Sequence, residues 1–239
     1  SWTFRKAEKF FDVVTYTGDG TYGRALSHNL GAVPAVAIIK RTDGTGDWLV
    51  YHKDAANVYL EMTLRLSSTQ AGEGTNYIFY GGSGALTDTT FGGLGGYDYS
   101  NASGGTYVAY LFASDAGGFG DDGSESIIKC GSFNTYAEIN LGWEPQWVLY
   151  KRADGSGSWS IVDNMRGWVN SGNDKILFPN TSDAESNGQR GHPTASGMLP
   201  INGGSDTYIY IAIRRPMKTP ESGTEVFLAS TVASGVQIA

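Results

Sequence analysis

Apolar and polar residues alternate with a period of two over short stretches of this chain, and no window of helical length carries an apolar stripe of period 3.6. The clearest strand candidate is an apolar run, Val36 to Ile39, passing into Lys40-Arg41, with Val36, Ile38 and Lys40 on one face and Ala37, Ile39 and Arg41 on the other. Thr42, Asp43, Gly44, Thr45 and Gly46 then supply turn chemistry, with glycines free to take positive φ, and Asp47 to Tyr51 returns as the second arm of a hairpin. The same plan recurs at Trp147 to Arg152, with a turn through Asp154, Gly155, Ser156 and Gly157 and a return at Trp159 to Val162. Further strands are expected at Phe11–Tyr16, Tyr59–Leu66, Tyr77–Tyr80, Tyr107–Ala113, Ser126–Lys129, Ala137–Leu141, Lys175–Phe178 and Tyr208–Ile213. The pattern predicts an all-β protein.

The recurrence is a duplication. The twenty residues from Asn29 to Trp48 and those from Asn140 to Trp159 share ten identities at a constant offset of 111. A second match, at an offset of 101, sets Thr106–Phe112 against Thr207–Ile213, so about ten residues have been lost between the landmarks of the second copy. The fold expected from this is two tandem, related β-sandwich units of jelly-roll type, unit one over residues 11–116 and unit two over 117–216. Ala212 to Arg215 echoes Thr3 to Lys6, so residues 1–10 read as the end of a preceding unit or a linker. Pro216 and Pro220 open a stretch without apolar alternation, and 217–239 reads as an extended connector or the start of the next segment.

Composition then narrows the function classes. The chain has 239 residues, 17 Lys plus Arg against 24 Asp plus Glu, a net charge of -7, and no basic run able to track a phosphate backbone, so nucleic acid is not an expected partner. Its 34 glycines and 13% aromatics with only 7 prolines suit many short strands and tight turns rather than a disordered chain. A single cysteine, Cys130, excludes an intrachain disulfide and a thiolate metal cluster. The longest apolar runs, Val33 to Ile39 and Tyr107 to Ala113, are strand-sized, so no membrane span is expected. The opening Ser1 to Lys6 has neither an initiator Met nor a secretory signal, and we expect a segment of a longer polypeptide.

Little in the sequence points to catalysis. Trp48 and Trp159 share strand faces with Val50 and Ile161, and are expected in the core. Lys40, Arg41, Lys151 and Arg152 read as solvated or snorkelling charges at strand ends. His28, His52 and His192 lack metal-ligand spacing, no nucleophile elbow occurs, and Cys130 reads as a small buried hydrophobe. No catalytic residue, cofactor or metal site is therefore expected. Asp121, Asp122 and Glu125 offer oxygen ligands for a cation but lack a calcium-loop spacing, and read as a solvated linker. Binding is better sought in loops that differ between the copies, where aromatics sit among glycines and short polar residues: Tyr77, Tyr80, Tyr97 and Tyr99 in unit one, Trp168, Asn187 and Arg190 in unit two.

The strings Phe11 to Gly20, Ser27 to Gly31, Lys40-Arg41 with Trp48, Tyr107 to Ala113 and Ala212 to Ser222 resemble a repeat-bearing family of virion structural and tail-fibre proteins of marine tailed bacteriophages. The resemblance implies a non-enzymatic segment of a virion tail fibre or surface appendage, located on the extracellular phage particle and acting in host-surface attachment. Implied partners are other virion proteins and a host surface glycan or protein, with a homotrimer as the implied assembly. Two alternatives stand beside it: a carbohydrate-binding or polysaccharide-depolymerising module, and a capsid-decorating or head-fibre protein.

Overall fold

A computed structural model describes residues 2–55, 62–74, 86–95, 98–169, 174–201 and 203–214. Each copy of the duplicated sequence builds one antiparallel principal sheet. In unit one the spatial order is β1 (Phe11–Thr17), β8 (Thr106–Phe112), β3 (Val36–Arg41), β4 (Leu49–His52), β5 (Met62–Arg65) and β6 (Glu73–Gly74). In unit two it is β9 (Ile128–Phe133), β17 (Tyr208–Ile213), β11 (Trp147–Arg152) and β12 (Ser160–Asp163). The protein is all-β, as the alternation predicts.

The copies agree in register as well as order. Val36 pairs with Phe112 and with His52 in unit one, while Trp147 pairs with Ile213 and with Asp163 in unit two, which reproduces the offsets of 111 and 101 in space. The first strands are related by a third offset, 117, because Phe11 pairs with Phe112 and Ile128 with Ile213. That relation is invisible in sequence, since β1 and β9 share almost no identities.

Strand alternation assigns the two faces of each sheet to different cores. Phe11, Val36, Ile38, Val50 and Phe112 of unit one join Ile128, Cys130, Trp147, Leu149, Ile209, Ile211 and Ile213 of unit two in one apolar cluster. The two principal sheets therefore face each other, and the largest core is shared between the copies. The opposite faces make private cores. In unit one, Ala37, Ile39, Leu49, Tyr107 and Leu111 pack under a ribbon of β2 (Arg24–Ser27) and β7 (Thr90–Leu94). In unit two, Val148, Tyr150, Val162, Tyr210 and Ala212 are covered by β10 (Ile139–Asn140), β16 (Gly197–Leu199) and β15 (His192–Thr194), and by β13 (Asp174–Ile176) with β14 (Ser186–Gly188). A sheet buried on both faces needs nearly continuous apolar strands, which is why Val36–Ile39 and Trp147–Tyr150 are apolar throughout.

Polar clips seal the seam between copies, and they are not symmetric. The segment after β5 crosses to the unit-two hairpin: Gly157 N donates to Thr69 O at 2.8 Å, Gly72 N to Ala153 O at 2.9 Å, and Trp159 Nε1 to Arg65 O at 2.8 Å. Lys151 is fully buried beneath this crossing and donates to Thr69 O and Arg152 O, so the expectation of a solvated strand-end charge fails here. Its partner in the other copy, Lys40, stays half-buried and caps its own turn at Gly46 O. Sequence could not separate the two lysines, because the crossing segment belongs to one copy only. Trp159 and Trp48 both face the shared core, as expected, but Trp48 is only partly covered and lies against Tyr110.

Residues 2–6 form no strand. Phe4 instead plugs one end of the shared core, edge-on to Phe10, Phe112 and Trp147 with ring centroids 5.5–6.4 Å apart. Lys6 Nζ and Arg24 Nη1 donate to the Val13 and Thr17 carbonyls on the free edge of β1, which blunts that edge against further strand pairing. The connector expected at 217–239 lies outside the described residues.

Candidate functional site

Of the residues singled out for binding, the described ones do not all converge on one surface: Tyr99 belongs to unit one and Trp168, Asn187 and Arg190 to unit two. Tyr77, Tyr80 and Tyr97 lie outside the described residues. Tyr99 is half-buried against the hairpin turn of unit one, where a Cβ on Gly46 would sit 3.4 Å from its ring. Beside it, Arg41 ties the turn down through Asp43 at 2.8 Å and reaches Asp98 at 3.6 Å. Unit two repeats the device, with Arg152 on Asp154 at 2.8 Å and Asp206 at 2.7 Å. These charges hold turns in both copies.

In unit two the structure does bring Trp168 and Arg190 together. Both line a slot with Phe133, Tyr150, Met198 and Pro200, at the rim of the private core. Trp168 is buried and donates from Nε1 to Gly191 O, so its ring is a wall of the slot, not an exposed platform. Arg190 is positioned by the buried Asp174, whose Oδ2 accepts its backbone N–H at 2.7 Å. Asn187 is exposed on β14 opposite Lys175 and is not part of the lining. The slot's free volume is about 10 Å³, room for about one water molecule and far below a sugar ring.

The larger concavity was not foreseen. A groove of about 440 Å³ opens at the end of the shared core, lined by Trp2, Phe4, Phe10, Phe119, Ile127 and Met165 together with Arg5 and Arg214. This volume falls in the range of ligand-sized clefts. Its walls come from the segments that precede β1 and β9, with Met165 after β12 and Ile213 and Arg214 at the end of β17, so only their folding together creates it.

Several groups capable of chemistry are taken up by the fold. His52 is buried at the seam, donating from Nε2 to Tyr210 O at 3.1 Å and accepting from Asp54 N at Nδ1, and burial pushes its pKa down to about 4. His28 accepts from Leu30 N. Burial pushes the Cys130 thiol up, away from the reactive thiolate, in agreement with its reading as a small hydrophobe. Hydroxyl donors from Thr194 and Ser196 hold the Glu138 carboxyl below its ordinary range. In the acidic turn, Asp122 accepts from Ser124, and Glu125 is paired with Arg214 at 2.5 Å. Among the described residues no three His, Cys, Asp or Glu side chains gather to hold a metal ion, and no helix is long and apolar enough to cross a membrane.

Against this geometry, a comparison with protein families matches residues 5–215 to the family described as Domain of unknown function (DUF7483). The chain belongs to that family. The match spans both copies, from Arg5 to Arg215. No curated protein and no solved structure matches the chain.

Proposed function

We propose that this DUF7483 domain is a non-enzymatic structural module of a tailed-phage virion, part of a tail fibre or surface appendage, with a role in host-surface attachment. The observation that carries the reading is the fusion of two copies into one body through a shared core and one-sided polar clips. Such a module resists opening on the exposed surface of a particle. The occupied state of its polar groups supports the same reading: the turn arginines, His52, Lys151 and Glu125 are all spent on internal contacts. Trp2 and Arg214 line the same groove, so the first and last described residues of the domain lie at one end. That geometry suits a domain projecting from its parent, with Asn187 exposed on β14.

The test is adsorption competition with electron microscopy. Purified domain should slow attachment of the particle to its host, and antibodies against it should label the tail or its fibres. Label confined to the head, or no competition at saturating domain, overturns the proposal. The mass of the full chain in solution checks the expected homotrimer. Release of reducing ends from host polysaccharide by the purified domain would favour a depolymerase instead.

A further inference from the structure

We propose that the slot of unit two is a carboxylate-binding site, in which the Tyr150 hydroxyl and the Arg190 guanidinium receive one carboxylate group of a ligand. The site belongs to one copy only. Tyr150 stands on β11 where the offset of 111 puts Ile39 in unit one, and each side chain belongs to the private core of its own copy. A buried isoleucine needs no partner, whereas a buried phenol does. Tyr150 is more than nine-tenths buried, and its hydroxyl has no hydrogen-bond partner among the described residues. Ser160, opposite it on β12, stands close by without completing a bond. An unmade buried donor is costly, and a core built for packing alone would carry Phe or Ile at this position.

Arg190 supplies the charge. Its Nη1 lies beside Gly188 and donates to Gln189 O at 2.8 Å, and among the described residues no acidic side chain pairs with the guanidinium. The guanidinium is near enough to act on the phenol electrostatically, while burial pushes the phenol's pKa up and so keeps it a donor. The neighbouring Asp174 carboxylate is committed, with Oδ1 accepting from Val169 N at 3.3 Å and Oδ2 from Arg190 N. Two donors, one of them cationic, call for an anion with free lone pairs. Size selects among anions: a free volume of about 10 Å³ between Phe133, Trp168 and Met198 admits one oxygen atom but not a tetrahedral phosphate or sulfate. A planar carboxylate can place one oxygen on Tyr150 and keep the other at the rim on Arg190. Ile201, the exposed member of the lining, marks the mouth, where the rest of the ligand stays outside. A free organic acid and an acidic sugar of a surface glycan both carry this group. The second would join the slot to the attachment role proposed above, but the site itself does not rest on that reading.

Titration of the full chain at constant ionic strength, read from the Trp168 indole N–H signal by NMR, tests this. The probes are sodium propionate and sodium glucuronate, and the controls are propionamide and sodium chloride. A carboxylate probe should shift the signal saturably, and propionamide should bind at least about tenfold more weakly. Arg190→Gln and Tyr150→Phe should each weaken binding at least about fivefold, whereas Lys175→Gln, which removes an exposed cation outside the lining, should leave it unchanged. Tighter binding of glucuronate than of propionate assigns the acidic sugar, and the reverse order assigns a free acid. The proposal is overturned by the absence of a saturable shift with both carboxylates, by propionamide or chloride matching propionate, or by unchanged affinity in either slot variant. Urea unfolding without ligand gives an independent check. Tyr150→Phe should leave the midpoint unchanged or raise it, because the hydroxyl has no bond within the fold to lose; a lowered midpoint would reveal such a bond and overturn the proposal.

Discussion

Replacing Trp159 by Phe should cost much more than the same change at Trp48, although the two residues are equivalent in the duplication. Trp159 is 2% exposed and its Nε1 donates to Arg65 O at 2.8 Å across the seam. Trp48 is partly covered and stacks on Tyr110 with centroids 6.2 Å apart. Trp159→Phe removes a buried hydrogen bond worth about 1 kcal/mol and leaves a void where the larger ring stood, for a total of about 2 kcal/mol. Trp48→Phe keeps its apolar contacts and should cost under about 1 kcal/mol. Urea unfolding of the full chain reads the difference: with a slope of about 2–3 kcal/mol per molar, Trp159→Phe lowers the midpoint by about 0.7–1 M. Equal shifts for the two variants would refute the asymmetric crossing from unit one to unit two.

Other consequences follow from single residues. His52 is held neutral in the fold at a pKa of about 4, below its ordinary 6.5, so its contribution is intact above pH 6.5 and is lost as pH falls towards 4, with a ceiling of about 3 kcal/mol. His52→Gln, which keeps a donor for Tyr210 O, should flatten that window in urea midpoints taken from pH 7 to pH 4; an unchanged slope contradicts the assignment. Cys130 should react with a thiol reagent only as fast as the protein opens, and labelling at the rate of a free thiol in native buffer would contradict its burial. Gly191 has φ +80, and a Cβ there would lie 2.1 Å from Leu199 O, so Gly191→Ala should destabilise by more than about 1 kcal/mol by thermal melting; a neutral result would show that the Trp168 rim can rearrange.

Much of the principal architecture was legible because duplication and period-two alternation are local properties. The Lys40-Arg41 and Lys151-Arg152 hairpins fall where alternation puts them, and the offsets of 111 and 101 reappear as ladder register. The private covers were harder. Gly92 and Gly93 interrupt the alternation in β7, yet Gly92 is required there because a Cβ would meet Ala25 Cα at 2.3 Å across the ribbon. Strands of three residues such as β14 and β15 are too short to show a period. The shared core was not legible, since alternation says that a strand has two faces but not what each face meets. The same gap explains Trp168, whose glycine and asparagine neighbours suggested a contact loop but whose ring packs inward.

A core shared by the two copies predicts that they open as one cooperative body, and hydrogen exchange across a urea series measures this directly. Peptides from β8 and β17, the central strands of the two principal sheets, should lose protection at the same urea concentration and in single molecules together, because Phe112, Ile209 and Ile211 lie in one core. Loss of β8 protection at a lower concentration while β17 remains protected, or the reverse, would mean that each copy stands on its private core and that the shared one contributes little.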